Sequence, residues 1–213
     1  MSLAVLTDFD GTVASTDASY AVLKEFADDD WVAVEKEALE YKITILEAVK
    51  IQAGMVKASP EDASKYLKEN VELRPGFREF ANWCRENDIY LEICSDGFGW
   101  TIEVLLEYWG LEWIPWTSNA IVPRKEGWQI SFPYRKEGCP MNANCKCSHY
   151  DRLKERYDPV LFVGDGATDE CVAKKADKVY ARDRLLEVCR RDGLDCVPWD
   201  DWWRIRKEVE DLI

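Results

Sequence analysis

Residues 3–12 read LAVLTDFDGT, an apolar run that ends in two aspartates separated by one residue and followed by a glycine. Two further apolar runs have the same character, residues 89–94 before Ser95 and residues 160–163 before Gly164. Short apolar runs bounded by polar or glycine residues predict strands that are buried on both faces, as in a parallel sheet. Stretches of helical character follow the second and third runs. The alternation predicts a doubly wound α/β fold with a mainly parallel sheet.

Length and charge limit the function classes. The chain has 213 residues, enough for one domain or one domain with a sub-domain, and 47% of them are hydrophobic. Its 28 basic and 41 acidic residues give a net charge of −13, which repels phosphate backbones and anionic membranes. No apolar run approaches the ~18 residues of a membrane span, and no targeting segment is visible. We therefore expect a cytoplasmic protein whose partners are neither nucleic acid nor membrane.

Residues 15–73 differ in character from the sheet-forming runs. They are acidic, lack strand signals and carry apolar residues at helical spacing. Within them, Ser59 followed by Pro60 has the residue preferences of a helix start, which predicts a helix to about Asn70. The segment is therefore predicted to be a helical cap sub-domain inserted after the first strand.

The remaining residues, 1–14 and 74–213, are predicted to form the α/β core. A second insertion at residues 119–149 lies within this core. Its segments 119–122 and 128–133 flank a charged turn and are predicted to pair as a hairpin. A cysteine-rich loop over the last part of the insertion is predicted to follow the hairpin.

Carboxylates are predicted to meet at one edge of the sheet. Asp8 and Asp10 follow the first predicted strand, Ser95 the second and Asp165 the third. In open α/β sheets, ligands bind beyond the carboxyl ends of the strands, where all four residues would lie. Alone, the Asp8–Thr12 motif is also compatible with a polar turn between a strand and a helix. Three acids in one crevice repel one another unless a cation joins them, and Mg²⁺ prefers carboxylate and phosphate oxygens.

The cysteine-rich loop offers a second set of metal ligands. Cys139, Cys145, Cys147 and His149 form a C-x5-C-x-C-x-H pattern, which lacks the close cysteine pair of common zinc sites. His149 is the one histidine of the chain, so a multi-histidine metal site is excluded. Zinc binding, reduced thiols and a local disulfide all remain open for this loop.

The other cysteines lie apart from the loop. Cys189 and Cys196 are close in sequence and could form a disulfide, which the sequence leaves open. Cys84, Cys94 and Cys171 are predicted to be buried in the core.

The polar residues after the three runs resemble the four motifs of the haloacid dehalogenase superfamily, whose core is Rossmann-like. The motifs are Asp8–Thr12, Ser95, the downstream Lys146, and Gly164–Asp165 with Asp169. Their order and spacing cover most of the chain. The helical insert after the first motif is similar to the cap of one branch of this superfamily.

That branch contains the phosphoserine phosphatases, which the segments Leu73–Gly76 and Ser95–Phe98 also resemble. Within the branch, three segments are similar to the bacterial methionine-salvage phosphatases that act on 2-hydroxy-3-keto-5-methylthiopentenyl-1-phosphate. These segments are Cys145–Lys146, Ala181–Leu186 and Ile205–Glu208.

The resemblance implies a division of roles among the acids. Asp8 is the nucleophile that forms an aspartyl-phosphate, and Asp10 protonates the leaving group and then activates water. The Asp8 carboxylate, the Asp10 main-chain carbonyl and Asp165 hold Mg²⁺. Asp169 orients Lys146, the catalytic lysine, without contacting the metal.

The resemblance also implies the phosphate-binding residues. Ser95 and Lys146 contact the phosphoryl oxygens, and Asp96, Gly97 and Thr168 lie beside them as substrate-binding residues. Asp96 and Thr168 stand where phosphoserine phosphatases usually have Gly and Asn. Phosphoserine is therefore not the implied substrate.

These observations predict a magnesium-dependent phosphatase that cleaves a small-molecule phosphomonoester, as a monomer or homodimer. A phosphotransferase or phosphomutase with the same nucleophile is an alternative. A non-catalytic metabolite-binding module on the same fold is another, although the complete set of motif residues argues against it.

Overall fold

A computed structural model of the protein describes residues 2–28, 30–40, 42–138 and 143–213. These residues form a seven-stranded sheet in the order β4-β3-β2-β1-β5-β6-β7, in which only β4 is antiparallel to its neighbour. The strands are β1 (Ala4–Thr7), β2 (Tyr90–Phe98), β3 (Trp116–Val122), β4 (Gln129–Ser131), β5 (Val160–Gly164), β6 (Lys178–Ala181) and β7 (Cys196–Pro198). The predicted doubly wound α/β fold is confirmed.

The described residues form α-helices between and beside these strands. The helices are α1 (Ala18–Phe26), α2 (Trp31–Leu39), α3 (Ile45–Met55), α4 (Pro60–Asn70), α5 (Phe77–Glu86), α6 (Gly99–Tyr108), α7 (Lys146–Lys154), α8 (Glu170–Ala173), α9 (Asp183–Asp192) and α10 (Trp202–Glu210). A short 3-10 turn, Ala167–Asp169, precedes α8. Among the described residues, no helix has the length and apolar character needed to cross a membrane.

The central strand β1 fixes where the site forms. All four of its residues are buried between β2 and β5, as their apolar character predicts. Thr7 pairs with Ile93 of β2 and with Val163 of β5, so the three strands reach the same edge of the sheet together. The residues that follow them, beginning with Asp8, therefore face one crevice.

Helices α1–α4 all lie between β1 and β2 in sequence. The Ser59 hydroxyl accepts a hydrogen bond from the Asp62 amide at 3.1 Å and Pro60 is the first helical residue, so α4 has the predicted bounds. The chain enters and leaves this segment side by side, because Ala14 and Leu73 form an antiparallel bridge. The division into core and cap at residues 15–73 stays a prediction.

The predicted hairpin forms from β3 and β4, with Ile121 opposite Ile130. Its turn contacts the helices between β1 and β2 through Trp128, which is buried. The Trp128 amide donates to the Ala53 carbonyl at 3.0 Å, and the indole Nε1 donates to the Ala58 carbonyl at 3.2 Å. The hairpin therefore contacts α3 and the segment after it.

The structure corrects two of the sequence predictions outside the site. Cys171 is exposed, because α8 is a single turn at the surface and has no buried face at that position. The predicted cysteine-rich loop is helical from Lys146 onwards, as the first turn of α7. Cys84 and Cys94 are buried as predicted, and Cys189 and Cys196 form a disulfide that joins α9 to β7.

Candidate active site

Three carboxylates meet beyond the ends of β1 and β5. One oxygen from each of Asp8, Asp165 and Asp169 lies within 4.8 Å of the others. Gly11 allows this approach, because it has a φ of +70° and a Cβ there would lie 2.2 Å from the Asp165 carboxylate. The Thr12 hydroxyl then donates to Asp165 Oδ1 at 2.7 Å, which ties the first turn to the second.

Lys146 supplies a positive charge to this cluster. It is fully buried, and its Nζ lies 2.9 Å from Asp8 Oδ2 and 2.5 Å from Asp169 Oδ1. It also donates to the Thr168 hydroxyl at 3.3 Å. Burial alone lowers the pKa of Lys146, but Asp169 and Asp8 outweigh this effect and raise that pKa well above its ordinary value. Lys146 is therefore held as a cation.

Asp169 is held on several sides. Besides the contact with Lys146, its Oδ2 accepts hydrogen bonds from the amides of Asp165 at 3.1 Å and Gly166 at 3.0 Å. A fully buried carboxylate with these donors is a rigid acceptor. This arrangement favours the expected role of Asp169 as the residue that orients Lys146.

The acids of this cluster outnumber the positive charge beside them. Burial, with the neighbouring carboxylate of Asp169, raises the pKa of Asp8 well above its usual range. Burial also raises the pKa of Asp165, to about 6. Carboxylates that are destabilised in their charged form and share one crevice are suited to a divalent cation with oxygen ligands. The donor set of Asp8 and Asp165 therefore fits Mg²⁺.

Asp10 contacts the start of α1 and the second motif. Its Oδ1 accepts a hydrogen bond from the amide of Ala18 at 2.8 Å, at the start of α1. Burial, followed by the negative charge of Asp17, raises its pKa well above the usual value. A Cβ at Gly97 would lie 2.3 Å from Asp10 Oδ2, so glycine is required there. Asp10 therefore holds a proton more tightly than an exposed aspartate does.

The second motif is part of strand β2 and not of the loop after it. The Ser95 hydroxyl accepts from the Gly97 amide at 2.9 Å and lies 3.4 Å from Asp10 Oδ2. The Asp96 carboxylate turns towards the segment before α7, where its Oδ1 accepts from the amide of Asn144 at 2.6 Å. Burial raises the pKa of Asp96 to about 6. Asp96 therefore anchors the segment that carries Lys146.

A buried polar network that no sequence pattern indicates joins Ser95 to His149 and Glu92. The Asn144 side-chain amide donates to the Ser95 carbonyl at 2.9 Å, and its oxygen lies 2.7 Å from His149 Nε2. Because Asn144 uses its nitrogen as donor, His149 Nε2 is assigned as the donor to its oxygen. The other ring nitrogen lies 3.8 Å from Glu92, which also accepts from Arg152 at 2.5 Å.

This network engages the one histidine of the proposed zinc set. Burial lowers the pKa of His149, so the ring is held neutral by its surroundings. Cys139 of that set lies outside the described residues. Among the residues that the structure describes, the acid cluster is the one group of three or more potential ligands close enough to hold a metal ion.

The predicted site residues are brought together around one crevice. The crevice contains a buried carboxylate beside a lysine, a second carboxyl group with a raised pKa, and oxygen ligands for a cation. The residues are Asp8, Asp10, Ser95, Asp96, Gly97, Lys146, Asp165, Thr168 and Asp169.

Known proteins share this fold. The structure superposes on a substrate-bound phosphoserine phosphatase with a TM-score of 0.72 and 20% identity, covering 98% of each chain. It superposes on a phospho-aspartyl intermediate analogue of phosphoserine phosphatase with a TM-score of 0.70 and 20% identity, covering 97% of this chain and 98% of the other.

Relatives found by sequence are more similar to this chain than these solved structures are. The chain is 33% identical over 211 residues to the bifunctional enzyme MtnB/MtnX of Bacillus licheniformis, covering 97% of this chain and 49% of that enzyme. It thus spans about half the length of this relative. It is 28% identical over 222 residues to a 2-hydroxy-3-keto-5-methylthiopentenyl-1-phosphate phosphatase of Bacillus cytotoxicus, covering 100% of this chain and 98% of the other.

The predicted resemblance is therefore confirmed at the level of the family. Residues 5–174 match the haloacid dehalogenase-like hydrolases, and this range contains all four motifs. The chain belongs to the haloacid dehalogenase-like hydrolase family.

Proposed function

We propose that this protein is a magnesium-dependent phosphatase that hydrolyses a small-molecule phosphomonoester through an aspartyl-phosphate on Asp8. The observation that carries the proposal is the position of the Asp8 carboxylate, buried 2.9 Å from the Lys146 ammonium and within 4.8 Å of Asp165. A nucleophile, a phosphate-binding cation and a second metal ligand share one crevice. This combination is what phosphoryl transfer to a carboxylate requires.

The Asp8 carboxylate, the Asp10 main-chain carbonyl and Asp165 would hold the metal. When bound, Mg²⁺ neutralises negative charge on the nucleophile and on the substrate phosphate, so that the two anions can approach. Thr12 keeps Asp165 in place for this role through its hydrogen bond at 2.7 Å.

In the first step, an Asp8 oxygen attacks phosphorus and the bond from phosphorus to the alkoxide oxygen breaks. Asp10 transfers its proton to that leaving oxygen, and the raised pKa of Asp10 supports this role because the acid must be protonated beforehand. Lys146 and Ser95 bind the phosphoryl oxygens, where charge is concentrated during transfer.

In the second step, water attacks the phosphorus of the aspartyl-phosphate. Asp10, now a carboxylate, accepts a proton from this water, and the bond from phosphorus to the Asp8 oxygen breaks. Inorganic phosphate leaves, and Asp8 and Asp10 return to their starting protonation states. The same two residues therefore serve both steps, with Asp10 acting first as acid and then as base.

For the substrate, we propose 2-hydroxy-3-keto-5-methylthiopentenyl-1-phosphate. Support comes from the relatives named for this activity, one of which matches the whole chain. The buried Asp96, in place of the usual glycine of phosphoserine phosphatases, supports a substrate other than phosphoserine. A cytoplasmic location and a monomeric or dimeric state remain predictions.

The proposal is tested by phosphate release from a panel containing this ester, phosphoserine and an aryl phosphate. We expect release from the proposed ester, loss of release when a chelator removes Mg²⁺, and loss in Asp8→Asn. Asp88→Asn is the matched control, because Asp88 is exposed in the turn before β2, at the other edge of the sheet.

Three outcomes would contradict the proposal. Release that persists in Asp8→Asn would remove the covalent intermediate from the mechanism. If wild-type protein released no phosphate from any ester but bound beryllium fluoride with Mg²⁺, the transferase alternative would replace hydrolysis. Failure of both measurements would favour the non-catalytic binding module.

A further inference from the structure

We propose that Arg74, Trp199 and Trp202, which lie outside all four motifs, form a brace that positions the two metal-binding turns of the site. We call these three residues the tail brace. They are positioning residues, because none of them reaches the carboxylate cluster directly. The inference rests on the proposed function in that it concerns the same magnesium site.

The first part of the tail brace holds the turn after Asp8. The Arg74 guanidinium donates from Nη2 to the Gly11 carbonyl at 2.5 Å and from Nε to the Thr12 carbonyl at 3.0 Å. The Trp202 indole Nε1 donates to the same Thr12 carbonyl at 3.1 Å. Two side chains from distant parts of the sequence therefore converge on one peptide group of the catalytic turn.

The second part holds the turn after β5. The Trp199 indole Nε1 donates to the carbonyl of Gly164 at 3.4 Å, directly before Asp165. The guanidinium groups of Arg74 and Arg182 both lie over the Trp199 ring, at 5.6 and 5.2 Å from its centroid. Through Arg74, the contact with Gly164 is connected to the contacts with Gly11 and Thr12.

The consequence for the metal site passes through Thr12. Its carbonyl is fixed by Arg74 and Trp202, while its hydroxyl donates to Asp165 Oδ1 at 2.7 Å. A turn whose peptide group is held by two donors has little freedom to rotate, so the hydroxyl stays directed at Asp165. Outer hydrogen bonds of this kind orient metal ligands and commonly change metal affinity when they are lost.

The tail brace also links the site to the entry of the cap segment. Arg74 Nη2 donates to the Ser15 carbonyl at 3.3 Å, and the Arg74 amide donates to the Val13 carbonyl at 2.9 Å. Arg74 therefore contacts both the catalytic turn and the first residue of the segment that carries α1–α4. The same side chain fixes the nucleophile turn and the point where the chain leaves the core.

Trp202→Phe removes the indole donor and keeps an aromatic ring in its place. Trp202 is fully buried against Phe77 and Phe80, with ring centroids 4.9 Å apart in each case, and phenylalanine retains an aromatic ring there. Trp128→Phe is the matched control, because this buried indole also donates to one backbone carbonyl, at 3.2 Å, but in the hairpin contact. Both variants lose one indole donor.

Two readouts distinguish positioning from general stability. The first is the magnesium concentration for half-maximal phosphate release, measured together with turnover at saturating magnesium. The second is the dependence of the thermal unfolding midpoint on magnesium, which needs no substrate. For Trp202→Phe we expect roughly a tenfold higher magnesium requirement in both readouts, with turnover at saturation retained within about twofold.

Trp128→Phe is expected to keep the wild-type magnesium requirement. Equal magnesium requirements in wild type and Trp202→Phe would overturn the proposal, as would an equal increase in both variants. If Trp202→Phe does not fold, Trp199→Phe, which loses the donor to Gly164, decides the question by the same readouts. A wild type that binds magnesium but releases no phosphate would contradict the proposed function alone.

Discussion

Asp96 shows how one buried side chain can couple two motifs at a cost in stability. Its carboxylate accepts the Asn144 amide at 2.6 Å, and burial raises its pKa to about 6. The pKa of an aspartate in an unfolded chain is about 3.9, so the folded state binds the Asp96 proton more tightly than the unfolded state does. The charged form is therefore a net cost above pH 6, which disappears as pH falls towards 4.

We expect the effect of Asp96→Asn on the free energy of unfolding to be about 2 kcal/mol more favourable at pH 7.5 than near pH 4. Asparagine retains the oxygen that accepts the Asn144 amide and removes the buried charge. Urea unfolding at the two pH values measures the difference, with Asp88→Asn as the exposed control. An effect that is no more favourable at pH 7.5 than near pH 4 would mean that attraction between Asp96 and Lys146 outweighs the cost of burying the charge.

At the same scale, the residues that sequence could identify are those in short motifs after a strand. Asp8 and Asp10 stand beside a turn glycine, and their spacing carries a chemical reason. Glu92 stands inside a strand, where a single acid has no periodic signal, and Arg74 lies between two elements. The contacts of Glu92 with His149 and of Arg74 with Thr12 join residues more than fifty positions apart. No local pattern encodes such pairs.

At the level of elements, the hairpin connects the sheet to the helices that lie between β1 and β2. Trp128 makes two hydrogen bonds to this insert, and the Lys57 ammonium donates to the Glu126 carbonyl in the hairpin turn at 2.6 Å. Trp128 is 2% exposed, and its ring also packs against Trp100 of α6, with ring centroids 5.2 Å apart.

We expect Trp128→Ala to lower the free energy of unfolding by about 3–5 kcal/mol, because it removes a buried aromatic ring and leaves a cavity. Tyr108→Ala is the control, since that ring is 56% exposed and its loss leaves no cavity. Urea denaturation of both variants at neutral pH makes the comparison. Equal small losses would show that the hairpin contributes no stability through the insert.

The strands that sequence predicted carry a recognisable local signal. β1, β2 and β5 are apolar runs followed by polar or glycine residues, and β3 and β4 flank a charged turn. β6 begins with Lys178 and β7 ends in Pro198, so neither is an apolar run that a pattern separates from a loop. The helix at Pro60–Asn70 was predicted with its bounds because Ser59 and Pro60 act locally. Prediction thus succeeded where the determinant is local.

At the scale of the whole molecule, both the net charge of −13 and the acid cluster favour the binding of cations. Repulsion between like charges destabilises the compact fold. This repulsion is strongest in the crevice, where water screens the carboxylates least. Burial raises the pKa of Asp165 to about 6, so at pH 7.5 its charge destabilises the metal-free fold. A divalent cation bound to Asp165 would offset this cost.

Asp165→Asn is therefore expected to stabilise the metal-free protein and to weaken the stabilisation that magnesium provides. Without metal, the variant is expected to unfold at a higher temperature than wild type, because the repulsion between Asp165 and the neighbouring carboxylates is gone. A magnesium concentration ten times the dissociation constant stabilises wild type by about 1.4 kcal/mol, or roughly 3–6 °C, and the variant should lose most of this shift. Thermal unfolding at pH 7.5 in magnesium chloride, compared with potassium chloride of equal ionic strength, separates binding from screening. Asp88→Asn, with the same change in net charge, should keep the full shift, and an equal shift in Asp165→Asn would remove Asp165 from the metal site.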